Sequence, residues 1–459
     1  MQRTSAAIAI LVLLASACSS GIGKPGDSPP AASLPPAASL PAPATASVPS
    51  AAPRSTPVAS RQADAPLAQA AGTFLVVAEA AKDGFEVIAA DTGEHFMSLP
   101  AGIPVTGWKR LLTAAPANGK TRLGLFTLEN IDNPVSLTID GTWRLPTIGD
   151  DPQPVGLSAD TSTQVLVEDS AGSATPSTSR FTVVPASLKG KAQVINLAGN
   201  FEYDAISPDG RKLYVTEHLA APPAGHYQVR QVDVASGVLE PGVVVDKSAV
   251  TEPMAGWPLG QVRSADGHVQ TIYRGDEHPF IHALDTVQAF AICIDLPATG
   301  AGDAAAARDW GITAASGGSV YAVNPTLGLV VEVDSSGTGV RRSASVKPMA
   351  GTGIVLAKFS DGVGGRVGRR AIVTPDGKAL YAAGSAGVLS ISTSDLKATG
   401  RWLEGQAVDG LALTRDGSTL FALLHATGRI VVIDTAAGTV LGMVPGAGYT
   451  RLAAALPGE

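Results

Sequence analysis

The stretch SPDGRKLYV (207–215) returns as TPDGKALYA (374–382) and as TRDGSTLFA (414–422). Each copy joins an Asp-Gly turn to a run of apolar and β-branched residues. Asp-Gly is a strong hairpin signal, because the turn needs a positive φ that Gly adopts freely. Pro208 and Pro375 preset the φ at the turn entry. The phrase therefore reads as the first hairpin of a repeating unit. The last copy shows the whole unit. GLALTRDG (410–417), STLFALLH (418–425), GRIVVIDTAAG (428–438) and TVLGMVPG (439–446) are four successive strands with their turns. A four-stranded antiparallel meander of roughly forty to fifty residues has the period of a propeller blade.

Further copies begin at FEYDAISPDGRKLYVTEH (201–218), GQVRSADGHVQTIYRG (260–275), WGITAASGGSVYAVN (310–324) and RAIVTPDGKALYAAG (370–384). Two weaker ones lie near 108–147 and 154–198. The array opens with only three strands, TFLVVAEA (73–80), FEVIAADTG (85–93) and HFMSLPAG (95–102). It ends with one spare strand, TRLAAALP (450–457). Three plus one makes a blade, and sharing it between the chain ends closes the ring and removes an unpaired sheet edge. The expected fold is all-β, a closed β-propeller over 72–459. Strand count gives eight four-stranded blades, with seven as the alternative because the early repeats are degenerate.

SPDGRKLYVTE (207–217), and VYAVN (320–324) followed by VVEVD (330–334), resemble the repeats of the YVTN-type, WD40-like β-propeller family of extracytoplasmic proteins. The resemblance rests on repeat residues over 200–446 and on strand count alone over 72–199. Asn324 matches the family's closing Asn, whereas Glu217, Gly384 and Leu424 stand there in other blades. It implies a fold far more than an activity.

The ends of the chain bear on its compartment. MQRTSAAIAILVLLASAC (1–18) has Arg3, an apolar run from Ala6 to Leu14, and small residues just before Cys18. The run is too short to span a bilayer and fits a signal sequence. The small residues and Cys18 resemble the lipobox of bacterial lipoproteins. That likeness implies a signal peptide over 1–17, removed on processing, and a lipid on Cys18. Residues 18–71 are mostly Ala, Pro, Ser, Gly and Thr, with PPAASL in tandem at 29–34 and 35–40. Such a segment cannot bury a core and reads as a disordered tether. The expected location is extracytoplasmic, anchored to the cell membrane through Cys18, or secreted if Cys18 carries no lipid. The second cysteine, Cys293, sits in AFAICIDLP (289–297) and reads as a small buried hydrophobe.

A net charge of −7 argues against a nucleic-acid partner, which calls for a basic stripe. The basic cluster Arg366, Arg369 and Arg370 in GVGGRVGRR (362–370) reads as a solvated loop. There is no G-x-S-x-G elbow, no Walker A loop, no H-E-x-x-H and no calcium-loop spacing, so no motif indicates a cofactor. The turn aspartates Asp209, Asp376 and Asp416 read as structural acceptors.

Polar side chains gather instead in loops between second and third strands, which share one face of a propeller. TEHLAAPPAGHY (216–227) carries Glu217, His218 and His226, and RGDEHPFIH (274–282) carries Asp276, Glu277, His278 and His282. His425 follows the equivalent strand of the last blade. Glu217, His218, His226, Asp276, Glu277 and His278 are the candidate ligand or metal face. His278 and His282 are four apart, which on a strand is about 13 Å, too far to share one ion. His278 then reads as a loop residue and His282 as a packed strand residue. The functional expectation is a binding or scaffold module for a protein, glycan or small molecule of the envelope. The alternative is a propeller enzyme, lactonase-like or quinone-dependent, or a metal-binding protein, using those loops.

Overall fold

A computed structural model describes residues 67–458, apart from 80–81, 83, 106, 129, 147–154, 170–175, 220–225, 245–252, 265, 276–277, 298–305, 335, 337–338, 355 and 357–368. The signal segment, Cys18 and residues 19–66 lie outside the described residues, whereas Ala68–Ala70 form a 3-10 turn and Ala70 is buried in the core between blades 1 and 8.

Among the described residues the repeated phrase is a turn, and its hydrogen bonds recur atom for atom. Ser207 Oγ donates to Asp209 Oδ1 at 2.7 Å, Arg211 N donates to the same oxygen, and Lys212 N donates to Ser207 Oγ at 2.9 Å. Thr374, Asp376, Lys378 and Ala379 repeat the pattern, as do Thr414, Asp416, Ser418 and Thr419. The hydroxyl of Ser207 holds the Asp209 carboxyl below its ordinary range, and those of Thr374 and Thr414 do the same for Asp376 and Asp416. A fourth copy was concealed in the sequence. Ser158, Asp160, Ser162 and Thr163 make the same bonds, but Thr161 at φ 58° occupies the glycine position.

The chain forms eight four-stranded antiparallel sheets, and each such turn leads into the second strand of one of them. Blade 1 joins Thr73–Glu79, Phe85–Ala89 and His95–Leu99 to the last strand, Tyr449–Pro457. Blades 2 and 3 run from Ile103 to Asp140 and from Trp143 to Ala198. Blade 4 is Phe201–Ile206, Lys212–His218, His226–Asp233 and Val238–Leu239, with Met254–Ala255 added beside the third strand. Blade 5 is Trp257–Arg263, His268–Arg274, Pro279–Asp285 and Phe290–Asp295. Blades 6, 7 and 8 begin with Gly311–Ala314, Ala371–Val373 and Val408–Leu413. The count is eight, and blade 1 is shared by the two ends of the chain.

Both faces of each blade are buried, which is why middle strands such as Ser319–Asn324 and Leu329–Asp334 are apolar without alternation. The outermost strands, such as Val340–Ser345, face solvent. The cores lie between blades. Leu75, Val77 and Leu452 pack with Phe421 and Val432, joining blade 1 to blade 8. Val76, Phe85 and Ala453 pack with Trp108 and Leu111, joining blade 1 to blade 2. Similar clusters join every other neighbouring pair, so the hydrophobic contacts run around a closed ring.

Asn324 shows what a blade-closing Asn does. It is fully buried, its amide donates to Ala306 O at 2.8 Å, and its carbonyl accepts from Leu327 N at 2.9 Å. In blade 7 Gly384 stands at that position for a steric reason: a Cβ there would run into the Asp309 carboxylate.

Candidate functional site

The innermost strands line a cavity of about 960 Å³ on the ring axis. Its width follows from small residues, Gly260, Gly311, Ala371, Ala412 and Ala453 among them. Two of the glycines also permit close approach between first strands. A Cβ on Gly260 would stand 3.2 Å from Ile312, and one on Gly311 would stand 3.1 Å from Ala371.

Among the described residues three arginines line this cavity, Arg263, Arg369 and Arg370, against one carboxylate, Asp266. Asp266 is engaged in its own turn with Ser264 and His268. Arg263 ends the first strand of blade 5, and its Nη1 donates to Leu157 O in blade 3 at 2.9 Å. Arg369 and Arg370 lead into the first strand of blade 7. Arg369 O accepts from Leu411 N at 2.8 Å, which fixes the segment against blade 8. Arg370 is only 7% exposed and donates to Arg308 O at 3.2 Å. The expectation of a solvated loop is therefore corrected for Arg369 and Arg370. Arg369 is held by the first strand of blade 8 and Arg370 by the turn Ala306–Arg308 before blade 6, and both line the channel, while Arg366 lies outside the described residues.

Two indoles complete the wall. Trp108 and Trp310 are buried there and pack into the cores between blades 1 and 2 and between blades 5 and 6. Trp108 also sits at φ 70°, a conformation that costs a non-glycine residue about 1 kcal/mol or more and that concentrates at functional positions. The cavity thus offers guanidinium positive charge inside a chain of net charge −7. Low-dielectric walls concentrate such a field, so the arrangement suits an anion.

Blade 4 contributes no first-strand residue to this lining, because blade 5 covers it. Gln261 Nε2 donates to Asp204 Oδ1 at 3.2 Å and to Thr271 Oγ1 at 2.9 Å. Asp204 is buried, and its Oδ2 has no partner among the described residues. Burial pushes this carboxyl up to about 7, against the smaller lowering effect of the Gln261 hydrogen bond. A carboxyl whose folded pKa is raised contributes stability below its unfolded pKa near 4, and that contribution is lost as pH rises through 7. Asp204→Asn is therefore expected to gain about 2 kcal/mol over wild type between pH 5 and pH 8. Urea denaturation at both pH values checks this, and equal pH slopes would contradict it.

Four of the loop-face candidates are described, Glu217, His218 and His226 in blade 4 and His278 just before the third strand of blade 5. Glu217 accepts from Arg230 Nη1 and Gln228 Nε2, both at 2.7 Å, and so ties two strands of its own blade. His218 Nε2 pairs with Glu202 at 3.0 Å, and its ring leans on Tyr227. Blade 8 repeats that pair as His425 with Asp409 at 2.9 Å. His226 starts its strand in an exposed position. His278 pairs with Asp295 at 2.8 Å, just before the strand Pro279–Asp285 that carries His282. His282 is a packed strand residue, as the spacing indicated. Asp276 and Glu277 lie outside the described residues. Among the described residues, no three His, Cys, Asp or Glu side chains stand close enough together to hold a metal ion.

No family profile matches the chain, and no curated protein matches it by sequence. Solved structures do match it in fold. AztD from Citrobacter koseri, solved in its apo form, is 13% identical, with 84% of this chain and 98% of that one covered and a TM-score of 0.51. The dihydro-heme d1 dehydrogenase NirN, solved in complex with DHE, is 13% identical over 82% of this chain and 74% of that one, with a TM-score of 0.50. At such identity the likeness is one of architecture: this chain is an eight-bladed β-propeller similar in fold to AztD.

Proposed function

We propose that the protein is an envelope-anchored binding module whose propeller takes a small, multiply anionic metabolite in its central channel. The observation that carries this reading is the channel itself. Arg263, Arg369 and Arg370 line about 960 Å³ in an acidic chain. A cavity of that size is in the range that encloses a small ligand. Guanidinium groups recognise carboxylate and phosphate by paired hydrogen bonds.

Thermal melting in a panel of mono-, di- and tricarboxylates, phosphate monoesters and neutral sugars tests it. Dianions and trianions should raise the melting temperature, neutral sugars should not, and Arg369→Ala should weaken the best anion tenfold or more. Stabilisation by neutral sugars alone would overturn the reading.

The anchoring half of the proposal rests on Cys18 and the Ala/Pro-rich stretch behind it. A spacer of some fifty residues can hold a ring on the order of 100 Å from a lipid surface. Cys18→Ser is expected to move the protein from the membrane fraction to the soluble extracytoplasmic fraction. Fractionation and immunoblotting check that, and unchanged membrane retention would contradict it.

A further inference from the structure

We propose that the outer boundary of blades 4 and 5 is a binding site for one cuprous ion, with Cys293, Met254 and His282 as its ligands. Three strands bring these residues together. Met254 lies on the short strand added to blade 4, His282 on the third strand of blade 5, and Cys293 on the fourth. His282 and Cys293 are direct cross-strand partners, so both side chains leave the sheet on the same face. That face looks toward blade 4, where Met254 waits opposite. The Cys293 thiol donates to Met254 Sδ at 3.7 Å. Two sulfurs each about 2.3 Å from one ion, at trigonal or tetrahedral angles, stand about 3.8–4.0 Å apart. The observed separation is close to that spacing without any backbone movement.

His282 supplies the independent observation. It is 3% exposed, and neither ring nitrogen has a hydrogen-bond partner among the described residues. A buried imidazole with both nitrogens unmatched is rare and costly. Burial pushes its pKa down to about 4, so it is neutral at physiological pH, the form that ligates a metal. Its other cross-strand neighbour, Thr271, has its hydroxyl engaged by Gln261.

The donor set selects the ion. Thiolate, thioether and imidazole together are soft, and soft sulfur ligands favour Cu(I) over Mg²⁺, Ca²⁺ or Mn²⁺. A thioether is a poor zinc ligand, and zinc sites are completed by four Cys, His or carboxylate groups. The surround is apolar and aromatic. Tyr227, Tyr273 and Phe280 form a stack with centroids 5.3 and 5.2 Å apart, and Met254 and Cys293 pack against it. Such a shell limits solvent access and keeps the lower oxidation state. Both sulfur residues are half-buried near the outer rim, so an ion can reach them from outside. Binding exchanges the thiol proton of Cys293 for Cu⁺, with no change in oxidation state.

The test titrates Cu(I), supplied anaerobically as its acetonitrile complex, into full-length protein in competition with bicinchoninate. Cys18→Ser serves as the background, which leaves Cys293 as the one thiol. One equivalent of Cu(I) should be retained, and X-ray absorption should show two sulfur scatterers and one nitrogen. Cys293→Ser should abolish retention, and Met254→Leu and His282→Leu should each weaken it tenfold or more. Met254→Leu conserves volume, so its thermal melt should match the background and separate loss of ligation from loss of fold. Absence of retained copper in the background, or unchanged affinity in either Met254→Leu or His282→Leu, overturns the assignment.

Discussion

Removing residues 449–459 is expected to abolish cooperative folding. The strand Tyr449–Pro457 is the innermost of blade 1 and pairs along Thr73–Glu79, from Thr73 with Pro457 to Glu79 with Tyr449. Without it, Leu75, Val76 and Val77 lose their partner strand, and Leu452 and Ala453 disappear from the two cores that flank blade 1. Each buried Leu- or Val-sized side chain contributes about 1.5–3 kcal/mol, so the loss is about 5–10 kcal/mol. That equals the whole stability of many domains, about 5–15 kcal/mol. Circular dichroism during heating should show a broad, non-cooperative change for the truncated chain and a sharp one for the intact chain. Adding a peptide of residues 449–457 should restore part of the sharp transition, because the missing element is a single strand with a fixed register.

The second large effect is expected from Asp309→Ala. Asp309 is buried, and its carboxylate accepts from Ser385 N at 2.9 Å, from Ser385 Oγ at 3.1 Å and from Thr326 Oγ1. It pins the start of blade 6 to the end of the second strand of blade 7. Hydrogen bonds to a charged group contribute about 1.5–3 kcal/mol each, and a buried donor left unmatched adds a desolvation penalty. The expected loss is about 4–6 kcal/mol, read from urea denaturation. Ser385→Ala keeps the backbone donor, so its loss should be about 1 kcal/mol. Because Gly384 leaves room for this carboxylate, Gly384→Ala should be strongly destabilising alone and much less so in the Asp309→Ala background. Additive losses would show that the two positions do not share this contact.

The parts of the fold that were legible in the sequence are the ones set by local chemistry. Asp-Gly after Ser or Thr specifies a turn within six residues, and it marked the blades that contain it. Blade 3 was dimmer because Thr161 adopts the left-handed conformation that Gly210, Gly377 and Gly417 adopt elsewhere. The spare strand at the end of the chain was legible because three strands opened the array. His278 and His282 were legible too, since a strand holds residues four apart well separated.

The channel was not legible. Nothing in GVGGRVGRR distinguishes an arginine in solvent from one enclosed by the first strands of blades 6, 7 and 8, since that burial is created by the ring. Trp108 and Trp310 are 202 positions apart and meet the same cavity only through closure. The sulfur pair of Met254 and Cys293 is likewise 39 positions apart and depends on an extra strand in blade 4 that the repeat does not contain. Sequence spacing led instead to the loops, where Glu217, His218 and His278 each have a partner within their own blade.

The central claim is that binding occurs in the channel. Isothermal titration of the most stabilising anion into four variants tests it directly. Arg263→Gln and Arg369→Gln should lower affinity at least tenfold, while His218→Ala and His278→Ala should match wild type. Loss of binding in the two histidine variants with full affinity in the two arginine variants would contradict the account.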